Sequence, residues 1–485
     1  MSSSCSCLLL LASLISIAAA DTNEITVNLD TVQCVVSDQF LSVTIDAGSV
    51  GRGEWTKFDF TTSKMLNLAQ ALRPTMLRIG GTSQDYLIFQ KNQSRNELPQ
   101  EDKSPMANFN MTIEDWFAIT QFVYDIAGWD FIFGLNVLLR NKDGSWDSSN
   151  ARDLLKYSAE KAQLVNWELG NEPDLFSENI SVKAEQLAMD FKTLKDLLVE
   201  LQISPQYIGG PDVATLNRGA FFTSFLSHVD PSAIQAVTWH HYYLNGAKAV
   251  LPDMFNVAVL DSFINEAKEA KSYAFKYLPK AELWLGETSS CYGGGTPVLS
   301  SSFVSGFMWL DKLGVAALTN TSRVFRQDYI GGSYSLLDSS FNPLPDYWLS
   351  VLHKRLVGVN VLNVSGALDH GRHVRVYAHC ARQPAYPSGD VVLLVLNLHT
   401  YDTTATLMSP SLAAAPRDVY WLSPPGNTTN VLSKEVALNG VVLSLNNDSL
   451  PDLPPLQQSA TPTLHLPALS FGFYVFKDTK AKACM

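Results

Sequence analysis

The chain has 485 residues, 46% of them apolar and 17% charged, with a formal net charge of −12. This length exceeds one compact core of ordinary size and calls for two domains, or one large barrel with an appendage. The composition excludes extended disorder, and the negative balance excludes broad electrostatic capture of nucleic acid.

The chain opens on a polar start without Lys or Arg, followed by an apolar run from Leu8 to Ala12, more apolar residues to Ile17, and Ala18-Ala19-Ala20 before Asp21. This pattern predicts a signal peptide over residues 1–20, cut after Ala20. A membrane anchor is the alternative, but the segment is short for a span and no later run is long enough for one. Export, to the extracellular matrix or the lysosome, is expected. It places Cys34, Cys291, Cys380 and Cys484 where disulfides persist, with three pairings open. Seven glycosylation sequons, at Asn92, Asn110, Asn179, Asn320, Asn363, Asn427 and Asn447, fit the same route.

Between Leu41 and Tyr329 one theme recurs: a short apolar run ending in Gly, Asn, Asp, Glu or His, then a stretch with apolar residues at helical spacing. The strand segments are Phe40–Asp46, Met76–Gly80, Phe131–Leu138, Leu164–Gly170, Tyr207–Gly210, Ala236–His241, Glu282–Gly286 and Arg323–Gln327. Eight near-continuous apolar strands alternating with helices predict an α/β fold of the closed (β/α)8 type, a TIM barrel. An open doubly wound sheet is the alternative, and the count of eight argues against it. Helices are clearest at Phe303 to Leu318, with apolar residues on one face, and from Pro345 to about Leu356. The polar stretch from Lys91 to Pro105, between the second and third strands, predicts a long surface loop.

Beyond Gly358 the helical period disappears. Val374 to Tyr377, Val391 to Leu398, Val419 to Leu422, Val436 to Leu445 and Phe471 to Phe476 alternate between Gly, Pro and Asn, which predicts an all-β second domain, a C-terminal β-sandwich. The early strand Ile25–Leu29 has no helix after it and is expected to pair there. The expected division is a barrel over 36–357 and a sandwich over 21–35 and 358–485. No phosphate-loop glycine pattern and no metal-spaced Cys/His cluster is present, and His240 and His241 point to opposite faces of one strand, so no metal and no cofactor is expected.

The fourth strand ends Asn166-Trp167-Glu168-Leu169-Gly170-Asn171-Glu172-Pro173 and the seventh Trp284-Leu285-Gly286-Glu287-Thr288-Ser289. All strands of a parallel barrel open on one face, so Glu172 and Glu287 converge above the core. Glycoside hydrolysis needs such a pair: one carboxylic acid protonates the departing oxygen, and one carboxylate attacks the anomeric carbon or activates water. Asn171 stands ready for a sugar 2-hydroxyl, and Trp167 and Trp284 are expected to wall the site. The alternative, two carboxylates capping helices or meeting surface lysines, does not explain their matched placement.

The strings from Trp167 to Pro173, Thr238 to Gly246, Trp284 to Ser290 and Gly306 to Gly314 resemble segments of the heparanase family, and the likeness extends from about Phe40 to the C-terminus. The resemblance implies a (β/α)8 barrel with a β-sandwich and retaining endo-β-glucuronidase action on heparan sulfate, with Glu172 as acid/base and Glu287 as nucleophile. It further implies substrate contacts at Asn171, Asp46, Thr82, Arg140, Tyr242, Tyr292, Gly293, Gly294, Gln327 and Tyr334, and a disulfide between Cys380 and Cys484. Where heparan-binding members carry basic residues, this chain has Glu178 and Ala247, so hyaluronan stands as the alternative glycosaminoglycan. A catalytically silent glycan-binding protein and an exo-acting hydrolase of small glucuronides are the other readings. The short loop after the second strand predicts activity as a single chain, and a monomer is expected.

Overall fold

In the computed structural model, which describes residues 23–51, 60–93, 106–177, 181–426 and 430–485, eight parallel strands close into a barrel. They are β1 (Leu41–Asp46), β2 (Thr75–Gly80), β3 (Trp129–Leu135), β4 (Asn166–Leu169), β5 (Ile208–Val213), β6 (Ala236–Asn245), β7 (Glu282–Tyr292) and β8 (Arg323–Arg326). Each pairs with its sequence neighbour, and β8 pairs with β1 to close the ring. Strands covered on both faces need apolar side chains on both, which is why these segments read as runs rather than as alternation. Within the barrel, Met76, Ile132, Tyr207, Ala236, Trp284 and Phe325 pack into one apolar layer that plugs its floor. Polar chemistry begins one step above this plug.

Several expected boundaries shift for identifiable reasons. β3 stops at Leu135 because Asn136 leaves the ladder, its amide donating to Leu87 and its carbonyl oxygen accepting from Leu138. β6 and β7 run past the barrel and pair with each other as far as Asn245 and Tyr292, which no local signal marks. A short parallel pair, Leu87–Gln90 with Phe109–Thr112, lies outside the expected eight strands. Most of the polar loop from Lys91 to Pro105, as well as Glu178 and the sequons at Asn179 and Asn427, lies outside the described residues.

The C-terminal strands form a nine-stranded antiparallel sheet, against which a three-stranded sheet packs. A shared apolar core that includes Val376, Leu393, Leu407, Leu466 and Tyr474 joins the two. Asn23–Ile25 and Val27–Val35 join this unit, one strand to each sheet, as the lone early strand predicted. The string Val436 to Leu445 is not one strand. It folds as a hairpin of Ala437–Leu438 and Val441–Val442 around Asn439 and Gly440, both with left-handed φ, the backbone an Asn-Gly turn favours. A disulfide joins Cys380 to Cys484, while Cys34 and Cys291 are free thiols.

The helix Ser305–Leu318 is buried on every side, not on one face as its pattern predicts. It lies between β7 and the sandwich, and at Gly314 a Cβ would come within 2.1 Å of the Tyr377 ring. Its two central charges are both satisfied: Asp311 accepts from Arg375 and Tyr377, and Lys312 donates into β7.

Candidate active site

Above the plug, the inward side chains of β2, β4, β5, β6 and β7 form one buried polar cluster built around Arg78. Its guanidinium donates to Glu168 at 2.7 Å, Glu287 at 3.0 Å and Asn171 at 3.1 Å, and lies 3.9 Å from Asp212. The guanidinium folds back over β2, where a Cβ on Gly80 would meet it at 2.5 Å, so that position has room only for glycine. His240 completes the ring, with Nδ1 3.0 Å from Glu172 and Nε2 3.3 Å from Asp212. The Tyr242 hydroxyl donates to Glu287 at 2.7 Å.

Glu172 follows β4 in a left-handed conformation, φ 48° and ψ 49°, which a non-glycine residue adopts at a cost of about 1 kcal/mol or more. Two bonds hold it there: its amide donates to the Asp212 carbonyl at 2.8 Å, and the Asn171 amide donates to the Asp85 carboxyl at 3.0 Å. This turn carries Glu172 over Glu287, so that one carboxylate oxygen of each lies within 4.8 Å of the other. The side chain of Glu172 is 19% exposed and that of Glu287 9%, whereas Arg78, Glu168, Asp212 and His240 are sealed. Among the described charged side chains of the cluster, the two converging carboxylates are the ones that reach the barrel mouth.

Burial dominates the electrostatics of the cluster. Burial raises Glu172 above the ordinary glutamate range, against the opposing pull of His240, and neighbouring Glu287 adds to the rise. Burial alone would lower His240, but Glu287, Asp212 and Glu172 outweigh it and lift the imidazole to about 10. Burial likewise raises Glu168 to about 8, whereas Asp212, despite its burial, is held low by Arg78 and His240. Two basic side chains, Arg78 and His240, thus lie among the four acidic ones of the cluster, Glu168, Glu172, Asp212 and Glu287. Glu172, His240 and Glu287 lie close enough to suggest a metal site, yet both ring nitrogens of His240 are already engaged, by Glu172 and Asp212.

The structure places the remaining sequence-predicted residues unevenly. Asn171 and Tyr242 touch the cluster directly. Tyr334 stacks on Tyr242 with ring centres 6.2 Å apart and bonds to Gln327, which accepts from Thr44. Asp46 ends β1, where it accepts from the Gly48 amide at 2.7 Å and sits against Gly81. Thr82 is exposed in the turn after β2. Tyr292 is half exposed at the end of β7, and Gly293 and Gly294 follow with left-handed φ and open space where a side chain would project. Arg140 is engaged with Asp190, which leaves its charge compensated. Trp167 and Trp284 do not wall the site. Trp167 faces outward and stacks on Trp116, and Trp284 belongs to the floor plug beside Tyr207.

Arg78, Glu168, Asp212 and Asp85 belong to this cluster or brace it, and the sequence reading missed them. A signal for two of them was present: a lone charge inside a run such as Met76-Leu77-Arg78-Ile79, or Trp167-Glu168-Leu169, must meet a partner when both strand faces are buried.

Residues 17–314 match the N-terminal domain of glycosyl hydrolase family 79. The chain belongs to that family. Among its family 79 relatives, a heparanase from Gallus gallus is 39% identical over 99% of this chain and 99% of its own length. A hyaluronoglucuronidase from Hirudo nipponia is 32% identical over 95% of this chain and 99% of its own. Among solved structures, a 4-O-α-L-rhamnosyl-β-D-glucuronidase from Fusarium oxysporum shares the fold at TM-score 0.69 and 17% identity, covering 94% of this chain and 100% of its own. The chain is thus a glycoside hydrolase, as the carboxylate pair implied. Among its described residues no helix is long and apolar enough to cross a membrane.

Proposed function

We propose that this family 79 chain is a retaining endo-β-glucuronidase that cleaves internal glucuronosyl linkages of heparan sulfate by double displacement. The observation that carries this reading is the approach of Glu172 and Glu287 to within 4.8 Å, which suits direct attack on carbon and leaves too little room for an intervening water. Glu172, raised by burial, gives its proton to the departing oxygen while Glu287 attacks the anomeric carbon. As that proton leaves, the His240 imidazolium 3.0 Å away stabilises the new carboxylate, which then takes a proton from the water that releases the sugar. Arg78 and Tyr242 hold the nucleophile in line. The chain acts as an exported, glycosylated monomer without proteolytic processing.

A second substrate reading has its own support. Arg140 spends its charge on Asp190, Ala247 replaces a basic residue, and the leech relative is named for hyaluronan. A polysulfated chain binds largely through cations, so a cleft poor in them suits hyaluronan. Incubation with heparan sulfate, hyaluronan and an aryl β-glucuronide, followed by sizing of the products, tests both. Internal cuts in heparan sulfate support the lead reading, and cuts in hyaluronan alone select the second. Absence of turnover in folded protein would leave a silent glycan binder. Glu287→Gln is expected to abolish turnover without unfolding the protein; retained activity would remove Glu287 from the nucleophile role.

A further inference from the structure

The buried Lys312 has no place in the chemistry above, yet it sits directly behind it. The pairing of β6 with β7 breaks register beside the site: Trp239 pairs with Leu285 but His240 pairs with Glu287, so Gly286 is an extra residue in β7. Such a bulge re-aims a side chain, and it also interrupts the ladder that would hold the backbone still. The next register pair, His241 and Thr288, faces outward, and the Thr288 hydroxyl donates to the His241 carbonyl. Lys312 reaches this spot from the helix Ser305–Leu318. Its Nζ donates to the Thr288 hydroxyl at 2.5 Å, the Ser289 carbonyl at 2.9 Å and the His241 carbonyl at 3.3 Å.

We propose that Lys312 is a positioning residue for the nucleophile: it bolts the bulged strand β7 to β6 from outside the barrel and so fixes Glu287 against His240. Packing does not explain the amine. It is fully buried, lies 4.2 Å from the centre of the Tyr243 ring, and is pushed well below the ordinary lysine range by that burial. A methionine would fill the same space without burying an ammonium. The helix itself is anchored on its opposite side, where the adjacent Asp311 meets Arg375 and Tyr377 of the sandwich. Asp311 thus ties the helix to the sandwich, while Lys312 ties it to the two strands.

The inference rests on Glu287 being the nucleophile, and its test uses turnover of an aryl β-glucuronide by the full chain. Lys312→Met is expected to lower kcat roughly 10- to 100-fold, the scale of a sub-ångström to ångström misplacement, with KM within about twofold and no loss of thermal stability. Thr288→Val removes two of the four hydrogen bonds of that bolt at nearly equal volume, should lower kcat in the same direction, and carries the test alone if Lys312→Met does not fold. The double variant should be no slower than the slower single one. Asp311→Asn loosens the helix without cutting the bolt, and should lower the thermal midpoint while leaving kcat unchanged. Wild-type kcat in Lys312→Met or Thr288→Val, additive losses in the double variant, or an equal loss in Asp311→Asn would overturn the proposal. If the unmutated chain does not turn over the glucuronide, the same variants are read on heparan sulfate or hyaluronan, and a folded chain that turns over none of the three would overturn the glucuronidase reading beneath it instead.

Discussion

Replacing Arg78 with methionine removes the one cation that touches Glu168, Glu287 and Asn171 together, while keeping a side chain of similar length. Arg78 and Glu168 are both fully buried, as is Asp212, so the loss leaves Glu168 without its cationic partner and Asp212 with His240 alone, in little water. Removing one partner of such a buried pair costs about 3–5 kcal/mol. Unfolding entropies near 2 cal/mol/K per residue amount to about 1 kcal/mol per degree for a chain of this size, so the thermal midpoint should fall by about 3–5 °C. The deficit depends on pH. Glu168 is raised in the fold to about 8 from an ordinary 4.5, so its contribution is fully present below pH 4.5 and is lost as pH rises through 8. Without Arg78 the carboxylate is harder still to ionise, and the deficit should be larger at pH 8 than at pH 5. Turnover falls for a separate reason: Glu287 loses a charged donor worth about 1.5–3 kcal/mol, roughly 10- to 100-fold in kcat. Calorimetry at the two pH values and kinetics on an aryl glucuronide measure both. The double variant Arg78→Met/Glu168→Gln should regain part of the stability and none of the turnover. Wild-type stability in the single variant, or restored kcat in the double one, would refute the reasoning.

Tyr242→Phe deletes a 2.7 Å hydrogen bond to Glu287 and should lower kcat roughly 10- to 100-fold with the fold intact; an unchanged kcat would show that Arg78 alone positions the carboxylate. Asp85 and Asp328 are each raised by burial to about 8, so with Glu168 their contributions are present in acid and lost as pH rises through 8. The midpoint of unfolding should therefore be higher at pH 5 than at pH 8, and Asp85→Asn should flatten the slope; a flat profile in the unmutated chain would contradict the assignment. Cys484→Ser opens a loop of 104 residues and should cost about 4–5 kcal/mol, read as a lower thermal midpoint that reductant no longer changes.

The barrel and its mouth were legible because their signals are local. A run of apolar residues reports a strand covered on both faces, eight of them report closure, and a carboxylate just past the run lies at the open face whatever the rest of the fold does. Glu172 and Glu287 could therefore be placed at the open face from their position after the strands. Trp167 and Trp284 could not, because which way a strand residue points depends on how the ring closes and where bulges fall; one faces the helices and the other plugs the floor. The same limit hid Asp212, which sits in a short strand whose inward side is defined only by the Arg78 and His240 it meets.

What the linear order of residues determined was the set of elements, their parallel closure and the pair of acids at one end, since each follows from spacing and from the cost of burying a backbone without partners. Only the tertiary structure decided which charges share one enclosure, how near the acids approach, and that a helix with a one-sided pattern is covered all round. Those are distances between segments far apart in the chain, and the dielectric, the proton balance and the reach of Lys312 all depend on them.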